Sequence, residues 1–312
     1  MGIDGGGSKT TCAVGDETSQ LEIVTTGPSN ITRVGKDRAR EALHQAIRQA
    51  CATAKIDLRQ VQRICIGAAG AGRAEVAAAV REMVAELIPG EIDVVGDMEI
   101  ALEAAVGAGP GVIVIAGTGS IAYGRNATGR TARAGGWGFA ISDEGSAHWI
   151  GRTTVSAVLR AVDEGVDDEK DDQSIADASL LFRELKEVWK LRFLDEFVRT
   201  ANSNPDFAML FPSIVAAADA GDDLAQRVLR HAGEELAKLV AIVVHRLFAE
   251  DAASPPAVGL AMVGGVFRHS SQVREEFCNE VRKVQGQINL NANVVEPVMG
   301  ALQMARRAVR KS

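Results

Sequence analysis

The first ten residues combine a carboxylate, three glycines and a Ser-Lys-Thr trio, which are residue types that can hold a phosphate group. They read Met1-Gly-Ile-Asp-Gly-Gly-Gly-Ser-Lys-Thr10. Glycines let backbone N–H groups approach phosphate oxygens closely because they carry no Cβ. Asp4 is placed to hold Mg²⁺ through water, while Lys9 either reaches a phosphate or points away along an alternating strand. The residues predicted to contact phosphates here are Gly5, Gly6, Gly7, Ser8, Lys9 and Thr10.

The spacing of this turn excludes two other glycine-rich loops. A Walker A loop needs Gly immediately before Lys, and Ser8 stands there. A dinucleotide fingerprint opens a helix, whereas residues 10–26 have the pattern of two strands joined by a turn. The sequence therefore predicts a β-hairpin turn. A merely flexible turn is the alternative interpretation of the three glycines.

A second segment has the same pattern and favours phosphate binding at both. Residues 111–116 are an apolar strand, Gly117-Thr-Gly-Ser120 is a turn, and another strand follows. Two such hairpins opposite each other would clamp one polyphosphate, with Gly117, Thr118 and Gly119 in contact with it. A third apolar strand ends in Gly264 and Gly265, where bare backbone would let a flat base lie close.

Asp97 is the predicted general base. It follows a strand and precedes a helical pattern, the place where an open α/β sheet binds its ligands. The alternative is that Asp97 only caps the helix. Glu99 and Glu103, on the same predicted helix, are expected to face solvent.

Composition and charge limit the classes of function. The 312 residues are enough for two domains, and the net charge of −7 argues against nucleic acid or an acidic membrane surface as a partner. No apolar run approaches the length of a membrane span, so we expect a cytoplasmic protein. The four cysteines have no metal-ligand spacing.

The order of predicted elements indicates two α/β units. A first unit of strands and helices ends near residue 106, and a second begins with another strand and glycine turn. We predict an N-terminal domain at 1–106, completed by the C-terminal helix 297–312. The second domain is predicted at 107–296, with a helical insertion.

Five motifs together resemble the BadF/BadG/BcrA/BcrD ATPase family of the sugar kinase, Hsp70 and actin superfamily. They are Asp4-Gly-Gly-Gly-Ser-Lys-Thr10, Gly117-Thr-Gly-Ser120, Gly135-Gly-Trp-Gly138, Asp143-Glu-Gly-Ser146 and Val263-Gly-Gly265. The resemblance implies two duplicated actin-like (ribonuclease H-like) α/β domains around a nucleotide cleft, with ATP and Mg²⁺ as cofactors. It also implies phosphoryl transfer to the 6-hydroxyl of an amino sugar such as N-acetylglucosamine, with glucosamine or N-acetylmuramic acid as alternatives.

The resemblance also assigns site residues. Its sugar site corresponds to Asn30, Asp97, Ser120, Trp137, Gly138 and Asp143, and its nucleotide site to Ser8, Thr118, Gly221, Gly264 and Gly265. Trp137 would offer an apolar face to a pyranose ring, and Asp143 would accept hydrogen bonds from sugar hydroxyls. Vertebrate-type members have Asn where Ile121 stands, so one possible sugar contact is missing here and the identity of the sugar stays open.

Two other classes of function stay open. Some family members are ATPases that activate a partner enzyme through an iron–sulfur cluster held by cysteines near the second phosphate turn. None of the four cysteines lies near 117–120, which disfavours that class. A nucleotide-binding regulator or assembly protein would lack sugar-dependent ATP use. A homodimer is the default expectation for the oligomeric state.

Overall fold

The computed structural model describes residues 1–165, 179–249, 258–283 and 288–309. Its strands form two five-stranded sheets. The first contains β1 (Gly2–Gly5), β2 (Thr10–Gly15), β3 (Gln20–Thr26), β4 (Arg63–Ala68) and β5 (Glu91–Gly96). The second contains β6 (Gly111–Ala116), β7 (Ser120–Arg125), β8 (Thr131–Gly135), β9 (Val258–Val263) and β10 (Ile288–Val295). Residues 310–312 of the predicted terminal helix, and parts of the predicted second domain, lie outside the described residues.

The two sheets have the same topology. Their orders are β3-β2-β1-β4-β5 and β8-β7-β6-β9-β10. In each sheet the first strand is antiparallel to the second and parallel to the fourth, and the fourth is parallel to the fifth. The prediction of a duplicated α/β unit is therefore confirmed. The turn after β1 and the turn after β6 occupy equivalent places.

Helices follow the strands in both units. In the first they are α1 (Ile31–Val34), α2 (Lys36–Ala54), α3 (Ala74–Ala85) and α4 (Asp97–Val106). In the second they are α5 (Ala147–Asp163), α6 (Leu180–Trp189), α7 (Leu194–Asn202), α8 (Phe211–Asp219), α9 (Asp223–Phe248), α10 (Gly265–His269) and α11 (Ser271–Lys283), and α12 (Pro297–Val309) ends the described chain. Single turns of 3₁₀ helix lie at Leu58–Gln60 and Phe207–Leu210. None of the described helices is long and apolar enough to span a membrane.

Each unit has its own core because its helices place an apolar stripe against its sheet. In the first, Leu43 and Ile47 of α2 are buried with Ile3 and Ile64 of the sheet. In the second, the stripe along α9 is buried against β6, β7 and β8. Each fully buried Leu or Ile contributes about 1.5–3 kcal/mol to stability.

Helix α4 is packed on more than one side and connects the two cores. Ile100 packs with Ala301 and Ala305 of α12, while Ala101 and Leu102 pack against the second sheet. A Cβ on Gly300 would collide with the Ile100 carbonyl oxygen, so this glycine permits the close approach of α4 and α12. The first residue of α4, Asp97, is thereby fixed relative to both units.

Of the two predictions that α4 side chains face solvent, the one for Glu103 is wrong and the one for Glu99 is confirmed. Glu103 was expected to face solvent, but it is 5% exposed and forms an ion pair with Arg307 of α12. Glu99 is exposed as expected.

The C-terminal helix α12 returns to the first sheet. Val298 and Leu302 are buried together with Ala13 of β2. The chain thus leaves the first sheet after α4 and comes back to it after β10. The domain boundaries at 106/107 and 296/297 stay a prediction.

Candidate active site

The first glycine hairpin (residues 5–10) joins β1 to β2. The Gly6 N–H donates to the Lys9 carbonyl oxygen at 3.0 Å, and a Cβ on Gly6 would lie 2.9 Å from that oxygen. The Ser29 N–H donates to the Gly6 carbonyl at 3.2 Å, so the loop after β3 supports the turn. Ser8 and Lys9 are exposed at its tip. The hairpin is narrow because its glycines leave no side chain in the way.

The second glycine hairpin (residues 116–120) occupies the equivalent place in the second sheet and meets the first. The Gly117 N–H donates to the Gly119 carbonyl at 2.9 Å, and the Ala147 N–H donates to the Gly117 carbonyl at 2.8 Å. The Thr118 hydroxyl lies 2.9 Å from the Ser8 hydroxyl. The two turns predicted to hold one polyphosphate are therefore opposite each other and in contact at their tips.

The structure corrects the predicted roles of two hydroxyls. Thr10 is fully buried, with Oγ1 2.8 Å from the Gly27 carbonyl oxygen and 2.8 Å from Ser29 Oγ. Ser120 is buried and donates to the Glu144 carbonyl at 2.7 Å. Both hydroxyls are engaged inside the protein because the first residue of each departing strand turns inward. They position the hairpins rather than face the cleft.

Asp97 begins α4 at the carboxyl end of β5. Gly96 is the N-cap residue of α4, and the Glu99 carboxylate accepts its N–H at 3.0 Å. The capping role that was the alternative interpretation of Asp97 is therefore filled by Gly96 and Glu99. Asp97 Oδ1 accepts the Met98 N–H at 3.0 Å. Burial raises the pKa of Asp97. Its side chain has no ion-pair partner among the described residues.

Asp4 lies close enough to Asp97 for the two charges to interact. Burial, and then the Asp97 charge, raise the pKa of Asp4 to about 7, against the opposing effect of Lys9. Two neighbouring carboxylates with raised pKa values form a site where a divalent cation would relieve the repulsion. No group of three or more His, Cys, Asp or Glu side chains among the described residues could hold a metal ion directly, so the fit is to a hydrated Mg²⁺ ion near Asp4.

Glu296 is a third carboxylate of this region, and we did not predict it from the sequence. It also raises the pKa of Asp4, and its own carboxylate pairs with Arg268 of α10 at 2.7 Å. Its place directly after β10 and before α12 repeats the place of Asp97 after β5 and before α4. The duplicated order of elements was the signal that could have identified it.

The segment after β8 forms a wall beside the second glycine hairpin. Gly135, Gly136 and Gly138 have positive φ, and so does Asp143 at +65°. Asp143 is 7% exposed, and Oδ1 accepts the Gly138 N–H at 3.2 Å. A Cβ on Gly119 would lie 2.6 Å from Asp143 Oδ2, so the carboxylate lies directly against the hairpin. Burial raises the pKa of Asp143.

Trp137 stands on the surface of this wall. It is 65% exposed, which excludes a core role, and the Arg133 guanidinium lies 4.3 Å from its ring centre. The cation covers one face of the indole and holds the ring in place. The other predicted partner of a sugar, Asn30, lies across the cleft and caps α1 by accepting the Thr32 N–H at 3.0 Å. Asn30 Nδ2 is 4.0 Å from the position of a Cβ on Gly7.

The remaining predicted nucleotide residues are three glycines, and two of them have positive φ. Gly264 has φ of +106°, and a Cβ there would collide with the Ala116 carbonyl oxygen at the base of the second glycine hairpin. Gly265 starts α10 beside it. Gly221, with φ of +95°, precedes α9, and the space where its side chain would stand is open.

Two further residues join the units across the cleft, and we did not predict them either. Arg33 Nη2 forms an ion pair with Asp206 Oδ2 at 2.6 Å, and Nη1 lies 3.4 Å from Thr118 Oγ1. The partners are 173 positions apart in the chain for the ion pair and 85 for the hydroxyl. No motif connects such distant positions.

Comparisons with known proteins show the family and the fold that this chain resembles. A family model described as the BadF/BadG/BcrA/BcrD ATPase family matches residues 1–305. An N-acetylmuramic acid/N-acetylglucosamine kinase from Clostridium acetobutylicum is 34% identical, over 98% of this chain and 97% of the relative. An N-acetyl-D-glucosamine kinase from Dictyostelium discoideum is 28% identical over the same shares. A solved Chromobacterium violaceum protein, proposed to be an N-acetylglucosamine kinase, has a TM-score of 0.73, 23% identity and 97% coverage of each chain.

Proposed function

The chain belongs to the BadF/BadG/BcrA/BcrD ATPase family, and on that premise we propose that it is an ATP-dependent amino-sugar kinase acting on the 6-hydroxyl of N-acetylglucosamine. The observation that carries the proposal is the meeting of the two glycine hairpins at Ser8 and Thr118. The Asp97 carboxylate, which has no ion-pair partner among the described residues, lies within electrostatic reach of Asp4 at the start of the first hairpin. Positioning and charge neutralisation are the main tasks in phosphoryl transfer.

In this proposal Asp97 acts as the general base. The 6-oxygen of the sugar attacks the γ-phosphorus of ATP, the bond between that phosphorus and the β,γ-bridging oxygen breaks, and ADP leaves. The proton of the 6-hydroxyl passes to the Asp97 carboxylate. Burial raises the pKa of Asp97, and a raised pKa makes the carboxylate a stronger proton acceptor.

Nucleotide contacts in the proposal come mainly from the backbone of the two hairpins. The N–H groups of Gly7 and Gly119 would face the phosphates, with Ser8, Lys9 and Thr118 beside them. The N–H groups of Gly6 and Gly117 close the two turns instead, and Gly5 would let the backbone come close to the phosphates. Gly264, Gly265 and Gly221 would border the rest of the nucleotide. Asp4 would hold Mg²⁺ through water, and the ion would neutralise phosphate charge when bound.

The sugar would lie between Asn30 and the wall after β8. Trp137 offers the one ring face that Arg133 leaves open, and the Gly138 region gives close access to backbone. Asp143 supports this placement because it lies against Gly119 and touches Gly138, joining the sugar wall to the phosphate hairpin. Ser120 would contribute by positioning the second glycine hairpin.

The activator class is not favoured by the described residues. Cys12, Cys51 and Cys65 are buried in the first unit, and Cys278 lies on α11. Burial raises the pKa of each thiol, and a thiolate is the form that binds iron. A colourless purified protein would exclude a cluster. A cytoplasmic homodimer is part of the proposal.

The test is a coupled assay of ADP release with Mg-ATP and a panel of sugars. N-acetylglucosamine, N-acetylmuramic acid, glucosamine and glucose are compared, and 6-deoxy-N-acetylglucosamine is the matched control. We expect sugar-dependent ADP release with N-acetylglucosamine and none with the 6-deoxy sugar. In the NMR spectrum of the product, the C6 signal should be split by scalar coupling to phosphorus through the C6–O–P linkage. Absence of sugar-dependent ADP release across the panel, or a product phosphorylated at another oxygen, would contradict the proposal.

A further inference from the structure

Arg33 places a guanidinium group between the two glycine hairpins. Nη1 lies 3.4 Å from Thr118 Oγ1 on the second hairpin and 3.6 Å from the position of a Cβ on Gly7 in the first. Nη2 is held by Asp206 at 2.6 Å. The side chain is 37% exposed, so the group borders open space rather than a closed core.

The Asp206 contact fixes the guanidinium and leaves other N–H donors of the group available to a ligand. A guanidinium has five N–H donors. Among the described residues the ion pair engages Nη2, and Nη1 makes one long contact, with Thr118. The flat, forked cation matches the oxygens of a phosphate or a carboxylate. Arg33 is therefore a prepared site for an anionic oxygen group.

The carboxylates near Asp4 strengthen the need for a cation at the phosphates. Asp97 and Glu296 both act electrostatically on Asp4, and each of these carboxylates disfavours additional negative charge near it. Glu296 already has Arg268 as its partner. Charge developing on the oxygens of a transferring phosphoryl group would meet the Arg33 cation on the side where both hairpin tips converge.

We propose that Arg33 binds the terminal phosphate of ATP and stabilises it during transfer, as a catalytic residue for the reaction proposed above, on which this inference rests. Arg33 donates N–H groups to phosphate oxygens and transfers no proton. Asp206 holds the guanidinium in place before the nucleotide arrives. The other source of an anionic oxygen group is the carboxylate of an N-acetylmuramic acid substrate, and the two sources are separable by experiment.

The experiment compares Arg33→Met and Arg33→Lys with Arg73→Met. Arg73 is the matched control because its guanidinium donates to the Thr32 hydroxyl on the same short helix α1 at 3.0 Å. Turnover is measured with a neutral sugar, N-acetylglucosamine, and with the anionic N-acetylmuramic acid. Affinities for Mg-ATP and Mg-ADP are measured by calorimetry, and melting temperatures report on folding.

We expect Arg33→Met to lower kcat with the neutral sugar on the order of 100-fold. It should weaken ATP binding about tenfold and leave ADP binding within twofold, because ADP lacks the phosphate that Arg33 contacts. Arg33→Lys should restore part of the rate, since the charge remains and the fork does not. Arg73→Met should stay within threefold of wild type.

Three outcomes would overturn the inference. Turnover of Arg33→Met within threefold of wild type with the neutral sugar would exclude the role. Loss confined to the anionic sugar would assign Arg33 to the carboxylate of the sugar instead of the phosphate. Equal loss of ATP and ADP affinity with a lowered melting temperature would make Arg33 a purely structural residue. If wild type phosphorylates no sugar, the proposed function fails, but the comparison of ATP with ADP still tests Arg33.

Discussion

The two units place a carboxylate at the same point of their topology and give it different surroundings. Asp97 follows β5 and begins α4, and Glu296 follows β10 and precedes α12. Glu296 is paired with Arg268, whereas Asp97 has a raised pKa and no ion-pair partner among the residues that the structure describes.

The difference comes from the connection after the fourth strand of each sheet. In the second unit this connection forms α10 and points Arg268 toward Glu296. In the first unit it is the irregular segment 69–73, and Arg73 turns away to bind the Thr32 hydroxyl. Duplication thus supplies two carboxylates, and among the described residues only the one in the second unit has an arginine as ion-pair partner.

The largest effect expected from this comparison is the contrast between Asp97→Asn and Glu296→Gln. The first should lower kcat by 10²- to 10⁴-fold because it removes the proposed base, and it should retain ATP affinity. The second removes a carboxylate that Arg268 already neutralises, so kcat should stay within about tenfold of wild type. Steady-state kinetics and calorimetric ATP titration measure both. Near-normal turnover by Asp97→Asn would refute the base assignment.

Asp4→Asn tests whether the Asp4 charge lowers the stability of the ligand-free protein while it supports ligand binding. The pKa of Asp4 is about 7 in the folded chain, against an ordinary value of 3.8 that applies when the chain is unfolded. Between these two pH values the folded chain retains a proton that the unfolded chain has released. The free energy of unfolding therefore falls as pH rises from about 4 to 7. Removing the charge should stabilise the ligand-free protein at pH 8 by about 2–4 kcal/mol.

The same variant should lose activity, since the proposed site for Mg²⁺ is gone. We expect a 10- to 100-fold fall in kcat/KM for Mg-ATP, in the range of losses that follow the removal of a group supporting a metal site. Chemical denaturation at pH 5 and pH 8 measures the stability effect, with Asp163→Asn at the exposed end of α5 as the control. Parallel stability curves for Asp4→Asn and wild type would show that the Asp4 charge does not act in this way.

The parts of the site that the sequence predicted are those set by local rules. The glycine hairpins follow from residue types that permit close backbone contact, and the position of Asp97 follows from the strand-to-helix order. The inward turn of Thr10 and Ser120 was missed, because the start of strand pairing decides which way a hydroxyl points. That register is fixed by neighbouring strands rather than by the motif.

The missed residues are those whose partners come from distant parts of the chain. Arg33 reaches Asp206, 173 positions away, and Glu103 pairs with Arg307 of the last helix. Such contacts depend on how the helices of one unit pack against the other, and no periodicity in a single sequence carries that information. Glu296 is the exception, since its equivalence to Asp97 was visible in the repeated order of strands.

The smallest effect expected from the comparison is that of Arg268→Met, which would make the second unit resemble the first. Glu296 would lose its cation, and its charge would raise the pKa of Asp4 further. The pair is partly exposed, with 36% and 50% of the two side chains accessible, so the interaction is worth roughly 0.5–1 kcal/mol. We therefore expect kcat/KM to fall two- to fivefold at pH 7 and the acid limb of its pH profile to move to higher pH.

The double variant Arg268→Met with Glu296→Gln is the internal control for this effect. It removes the charge that Arg268 neutralises, so the acid limb should return toward the wild-type position and the rate should recover. The two single variants, the double variant and wild type form a double-mutant cycle. The difference between the effect of the double variant and the sum of the single effects on kcat/KM measures the coupling between the two residues. A double variant slower than Arg268→Met alone would show that Glu296 contributes to the reaction directly, and the contrast between the two carboxylates would then be one of degree.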